Sequence, residues 1–293
     1  MTSTLKGSPV LTDALPCMAL GHSVRVHLGE TTSSWKADCE KRARHAAALS
    51  PFDDFCLGIA KEKTVARSIP AESIPDTIKN ATGKNDDCLR IAELEKGDPF
   101  IAFLFTEEPH YFWVHTTCAR GWIPEAAAER YLSKEQWDAA RRKTYMDLTP
   151  GNLLEVMFRD YDAPYQRGSG TDCTGYIRRV FAEFGIMMPL NSRLQPCYPS
   201  RRHSLEGLTD DEKREIIRTL PMGAALYMPN HAMLYLGEVN GHIYVINALD
   251  EFYDLDHKLQ KSARITVNTL DLMRKGGETW LTSLTAAVVP WEK

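Results

Sequence analysis

The chain has 293 residues, enough for about two domains, and its 25% charged and 43% hydrophobic residues are ordinary globular usage. A net charge of -4 and a pI near 6.2 argue against a general nucleic-acid binder; the short basic clusters Lys41-Arg42-Ala43-Arg44, Arg141-Arg142-Lys143 and Arg201-Arg202-His203 read as solvated faces. No run reaches the ~18 apolar residues of a membrane helix. No secretory signal is visible either: Lys6 is followed by a stretch broken by Asp13 and prolines, and Leu15-Pro16-Cys17 lacks the apolar run of a lipoprotein site. Export by an unusual route, a signal already removed, and residence in the cytoplasm all stay open.

In chain order, residues 1–52 are mixed, with a helix expected from Trp35 to Leu49. Residues 53–130 carry short strand-like runs, Cys56 to Ile59, Thr64 to Arg67, Pro99 to Phe105 and Tyr111 to His115, between breakers such as Lys96-Gly97-Asp98-Pro99. That spacing predicts a small β-barrel. Residues 131–150 read as a linker with a helix from Ser133 to Lys143, Ser133 its N-cap and Gln136 at N3. Residues 151–293 form an α+β region. Thr149-Pro150 opens its first helix, and Thr171 or Asp172 caps a second whose Tyr176, Ile177, Val180, Phe181 and Phe184 share one face before Gly185 ends it. A helix from Thr209 to Leu220 precedes strands at Ala224 to Met228, His231 to Leu236, Ile243 to Leu249 and Ala263 to Val267.

The seven cysteines are Cys17, Cys39, Cys56, Cys88, Cys118, Cys173 and Cys197, and none makes a Cys-x-x-Cys pair, which argues against a zinc ribbon or a thioredoxin-type site. In an oxidising setting an odd thiol would be left over, and Cys173 is the candidate. It lies in Gly170-Thr171-Asp172-Cys173-Thr174-Gly175. A cysteine in the first turn of a helix is expected to have its pKa lowered by the helix N-terminus and so to form the reactive thiolate. The alternative is a buried cysteine in a helix start. His231 opens an apolar strand in Pro229-Asn230-His231-Ala232-Met233-Leu234. A helix-cap cysteine followed by a strand-edge histidine is the nucleophile and base arrangement of papain-type peptidases. Asn247, on the next strand, is the candidate to orient the imidazole; the bland reading is a strand-end turn former. The register decides: a flush two-residue turn at Asn240-Gly241 puts Asn247 opposite Leu234, on the wrong face. An odd loop or a bulge puts it opposite Met233, on the His231 face.

Asp172-Cys173-Thr174-Gly175, Phe184-Gly185-Ile186, Pro189-Leu190-Asn191-Ser192-Arg193-Leu194-Gln195, Pro164-Tyr165 and the run from His231 to Gly237 together resemble the NlpC family of cell-wall cysteine peptidases, in the NlpC/p60 superfamily. The stretch Leu208 to Lys213, with Arg67-Ser68-Ile69-Pro70, Lys96 to Pro99, Trp113 and Gly121-Trp122-Ile123, resembles the subgroup bearing an N-terminal bacterial SH3-like barrel. The resemblance covers about residues 55 to 290. It implies a papain-like domain, helices packed on an antiparallel sheet, preceded by that barrel. It also implies hydrolysis of peptidoglycan stem peptides or muropeptides between D-glutamate and the diamino acid, commonly meso-diaminopimelate, often with a free N-terminal L-alanine. Asp172 matches the position that helps bind that amine, Thr174 a usual serine, and Tyr165 a tyrosine that supports the oxyanion. No metal or cofactor is expected. Departures from the family pattern are Gln166-Arg167-Gly168-Ser169 in the pocket wall, Asn247 where histidine is usual, and Leu190 where arginine is common.

Two other functions stay open: thioester-based acyl transfer or deamidation on the same fold, and a non-catalytic wall-binding module. The expected setting is the cell wall, in the periplasm or after secretion without a visible signal; cytoplasmic muropeptide recycling is the alternative. An immunity or inhibitor protein is the expected partner if the protein is a secreted effector.

Overall fold

The computed structural model describes residues 55–72, 90–107, 109–116, 120–130, 132–140, 142, 145–167, 170–190, 192 and 194–292, with residues 37–39, 41–42 and 44–45. The last group is helical, within the helix expected from Trp35 to Leu49; the rest of residues 1–52, with Cys17, Cys88 and Cys118, lies outside the described residues. The chain divides into two compact units, Met1–Lys143 and Thr144–Lys293. Among the described residues no helix is long and apolar enough to cross a membrane.

The first unit is a seven-stranded antiparallel sheet. Its strands are β1 (Cys56–Ala60), β2 (Thr64–Arg67), β3 (Arg90–Leu94), β4 (Pro99–Phe105), β5 (Tyr111–His115), β6 (Arg120–Pro124) and β7 (Ala128–Arg130), in the order β3-β2-β6-β5-β4-β1-β7. Phe100, Phe112, Val114, Ile123 and Leu94 form its core. Among the described residues no pairing joins the end strands β3 and β7, so the sheet is not a closed barrel. Helix α1 (Lys134–Ala140) begins at the expected capping box, Gln136 N donating to Ser133 Oγ and Ser133 N to Gln136 Oε1. It stops three residues short of Lys143 and is held to the sheet by Trp137 Nε1, which donates to the Phe100 carbonyl at 3.0 Å.

The second unit is a six-stranded antiparallel sheet with helices on both faces. Helices α2 (Pro150–Arg159), α3 (Cys173–Ala182) and α4 (Asp210–Arg218) are capped by Thr149, Asp172 and Thr209; Thr209 and Glu212 make a full capping box. The strands are β8 (Arg201–Ser204), β9 (Ala225–Met228), β10 (His231–Val239), β11 (His242–Tyr253), β12 (Leu259–Thr269) and, after a short helix α5 (Trp280–Ser283), β13 (Ala286–Val289). Their order is β12-β11-β10-β9-β13-β8. Period-two alternation splits the core into two layers. Ala232, Leu234, Ile246 and Ala248 face α2 and α3, meeting Met157, Tyr176, Ile177 and Phe181. Met233, Tyr235, Val245 and Leu249 face the other way, toward Ile217, Trp280 and Leu281. Each such large apolar side chain contributes roughly 1.5–3 kcal/mol on burial.

Two expectations change here. The Arg201-Arg202-His203 cluster is not simply a solvated face; it is most of β8, paired to β13 at the end of the sheet. Charged residues on an end strand guard it against pairing with another chain. The helices-then-strands order also gains an early strand in β8 and a late helix in α5.

Candidate active site

Asp172 is extended (φ -81°, ψ 175°), and its Oδ1 accepts from Gly175 N at 2.7 Å, so Cys173 is the first residue of α3. Gly175 has no room for a side chain: a Cβ there would lie 2.7 Å from the Gly170 carbonyl carbon and 2.9 Å from Asp172 Oδ1. This close approach holds the 170–172 loop against the first turn of α3. Gly175→Ala is therefore expected to push that loop outward and cost about 1–3 kcal/mol; urea denaturation checks it, with unchanged stability as the contrary result.

Cys173 is partly exposed, and its thiol is not in a disulfide. The expected lowering of its pKa is not what the structure shows. Burial pushes the thiol up to about 11, and the neighbouring Asp172 carboxylate adds to the rise; the backbone N–H groups of Ala232, Thr174 and Cys173 itself oppose it. The helix N-terminus acts in the expected direction, but desolvation outweighs it.

The Ala232 N–H is available because the sheet opens at this point. Tyr235 N and O bond toward β9, so by alternation the Ala232 N–H points toward β11. Pairing of β10 with β11 runs from Val239↔His242 to Leu234↔Ile246 and goes no further. Beyond that point the Ala232 N–H is directed at Cys173 instead of a strand carbonyl.

The same register settles where Asn247 lies. The turn is the tight two-residue one, Asn240 and Gly241 both at positive φ (52° and 82°), which alone would turn Asn247 away. A bulge between Tyr235 and Gly237 resets the count, with Gly237 at φ 143° absorbing the extra residue, Leu236. Extended one step past Leu234↔Ile246, the register sets Asn247 beside Met233, on the face His231 shares. Asn247 is fully buried.

His231 is partly exposed as a residue, yet its Nε2 is buried, and the ring packs against Trp280 with centroids 5.2 Å apart. Burial lowers its pKa to about 4; Asn247 acts against that as a hydrogen-bonding neighbour, and the charge of Arg274 reinforces it. No bond of full geometry joins the pair: among the described residues, His231 Nε2 and both polar atoms of Asn247 are buried without a partner. A buried amide and a buried imidazole nitrogen left unpaired are costly, and each is the complement of the other.

Tyr165 closes another side. Its pKa is pushed up to about 12 by burial and then by the charges of Cys173 and Asp172, which places its hydroxyl in their field and keeps it protonated. Its backbone N donates to Ala263 O at 2.9 Å. Ala263 is at φ 53°, in a β12 bulge opposite Asp250. Thr174 is buried, and its hydroxyl donates to Asp172 Oδ1 at 3.3 Å. Two residues that the sequence did not single out as site residues stand behind these. Gln195 Nε2 donates to the Thr174 and Pro189 carbonyls at 3.0 and 2.7 Å, and Tyr227 donates its hydroxyl to Gln195 Oε1 at 3.3 Å. Gln195 was visible only as part of a motif. Tyr227 read as one residue of an apolar strand. In the altered pocket wall, Gly168 and Ser169 lie outside the described residues, as do Asn191 and Arg193.

No family model matches the sequence, and no curated protein matches it. Among solved structures, an NlpC/P60 endopeptidase from Photobacterium damselae subsp. piscicida is 15% identical, with a TM-score of 0.60 over 89% of this chain and 79% of its own. NlpC2 and NlpC1 from Trichomonas vaginalis are 13% and 14% identical and cover 74% and 76% of this chain and 71% and 69% of theirs. Their TM-scores of 0.26 and 0.25 are too low to bear on the fold. The first likeness shows the fold: mixed α and β structure on antiparallel sheets, as in NlpC/P60 endopeptidases.

Proposed function

We propose that the protein is a cysteine peptidase of the NlpC/P60 type that cleaves peptidoglycan stem peptides. The observation that carries this reading is the meeting of Cys173, at the first turn of α3, with the opened end of β10 and β11, where His231 and Asn247 share a face. The bond is that between D-glutamate and the diamino acid, commonly meso-diaminopimelate, and the sequence resemblance supports it. The first unit is read as the SH3-like module of the relatives that favour a free N-terminal L-alanine.

The thiol and imidazole start neutral, since the one has a raised and the other a lowered pKa. His231 Nε2 is buried, and we read it as the nitrogen that pairs with Asn247, so that Nδ1 takes the Cys173 proton as the sulfur attacks the γ-glutamyl carbonyl. The Asn247 carbonyl then accepts the imidazolium N–H. The Cys173 backbone N–H and the protonated Tyr165 hydroxyl stabilise the oxyanion. His231 gives its proton to the leaving amine, and water, deprotonated by His231, resolves the thioester. Asp172, steadied by Thr174 and Gly175, presents a carboxylate for the substrate's terminal amine.

Asn247→Ala is expected to lower kcat by about one to two orders of magnitude. Because Asn247 favours protonated His231, the acid limb of the pH profile should also move to lower pH. An unchanged limb with unchanged kcat would remove Asn247 from the site. The reading as a whole is tested by digesting defined stem peptides with and without a free N-terminal L-alanine and weighing the products. Expected are L-Ala-D-Glu and a diamino-acid fragment. Joined substrates would indicate acyl transfer, and binding without cleavage would indicate a wall-binding module.

A further inference from the structure

Arg274 has no role in the chemistry above, yet it stands beside the base. Its backbone is pinned on several sides. The Arg274 N donates to Glu278 O at 2.8 Å, and its carbonyl accepts from Gly277 N and lies 3.0 Å from His257 Nε2. Next to it, Met273 N donates to Tyr253 O at 3.0 Å. The side chain reaches back to the turn that leads into His231, Nη1 donating to the Pro229 carbonyl at 3.0 Å. Its Nε is 4.0 Å from Glu278 Oε1, and the side chain keeps 23% of its surface exposed.

This placement works against the base. Attack makes His231 cationic, and a fixed guanidinium nearby opposes that; burial is the main cause of the imidazole's lowered basicity, and the Arg274 charge adds to it. Glu278, at 4.0 Å and half exposed, offsets it weakly. A negative group delivered by the substrate would cancel the penalty only in the complex, when the imidazolium forms. Because His231 protonates the leaving amine, the substrate residue nearest to it is the leaving diamino acid.

We infer that Arg274 is a specificity residue that binds a carboxylate of the leaving diamino acid. The inference rests on the peptidase reading and adds to it a recognition element on the leaving-group side. A guanidinium already donating to one carbonyl still offers a planar edge of N–H donors for a carboxylate. Diaminopimelate carries two candidates: the carboxyl next to the scissile nitrogen and the distal one that lysine lacks.

The test uses the full chain and three tripeptides. These are L-Ala-γ-D-Glu-meso-diaminopimelate, its analogue with the proximal carboxyl amidated, and the analogue with L-lysine as third residue. Arg274→Gln is expected to raise KM about 10- to 100-fold on the first peptide, and to have much less effect on whichever analogue lacks the carboxylate that Arg274 binds. That analogue identifies which carboxylate is read. Arg274→Lys, which keeps the charge and a donor for Pro229, should lose several-fold, selectively; it carries the test if the glutamine variant does not fold. Loss by one common factor on all three peptides, or no loss on any, overturns the inference while the peptidase reading stands. If the parent protein cleaves none of the three, the peptidase reading fails and the inference with it.

Discussion

Cys173→Ala is expected to fold as the parent does and to release diamino-acid fragments at least about four orders of magnitude more slowly. The side chain lost is small and partly exposed, so stability should change by at most about 1 kcal/mol. Alkylation of the parent by iodoacetamide gives an independent check on the electrostatics. With the thiol pushed up to about 11, roughly one molecule in 10⁴ carries thiolate at pH 7. Alkylation without substrate should therefore be slow and should quicken tenfold per pH unit through the neutral range. Fast, pH-independent labelling between pH 5 and 7 would mean that the thiolate is the resting state.

His231→Ala should lower kcat by about 10²- to 10⁴-fold, the usual worth of a positioned general base. The parent's activity should hold as pH falls below the ordinary imidazole value and fade toward about 4, where His231 takes up its proton. The same group ties stability to pH. Its folded pKa is depressed, so the unfolded chain binds the proton first. Its contribution is full above about 6.5 and is lost as pH falls from there toward 4, by up to roughly 3 kcal/mol. His115 in the first unit is lowered to about 4 by burial and shifts stability in the same sense. Urea midpoints measured across that range should fall for the parent and fall less steeply for His231→Gln. Parallel slopes would show that His231 titrates normally in the folded protein.

The parts of the fold that were legible are those written in local chemistry. Thr149, Asp172 and Thr209 mark their helices because a hydroxyl or carboxylate must take the first free amides. Thr64–Arg67, Pro99–Phe105 and Tyr111–His115 form the strands expected of them. β8 was hidden because a charged end strand shows no apolar alternation, and β7, Ala128–Arg130, because alanine, glutamate and arginine carry little strand preference. In the site, the choice between two registers was legible, but its resolution was not. A tight Asn-Gly turn and a bulge at Leu236 occur together, and the bulge depends on a glycine at φ 143° that spacing does not reveal. The direction of the Cys173 shift was missed for a different reason. Helix position can be read along the chain, whereas burial against strands some 60 residues away cannot. Gln195, Tyr227 and Arg274 act through contacts of that long-range kind.

The most direct test of the central claim is digestion of L-Ala-γ-D-Glu-meso-diaminopimelate in ¹⁸O-labelled water by the parent and by Cys173→Ala, with products weighed. Expected are free diaminopimelate and L-Ala-D-Glu with one ¹⁸O in the γ-carboxyl from the parent, and intact peptide from the variant. Cleavage that persists without Cys173, or that falls at another bond, would contradict it.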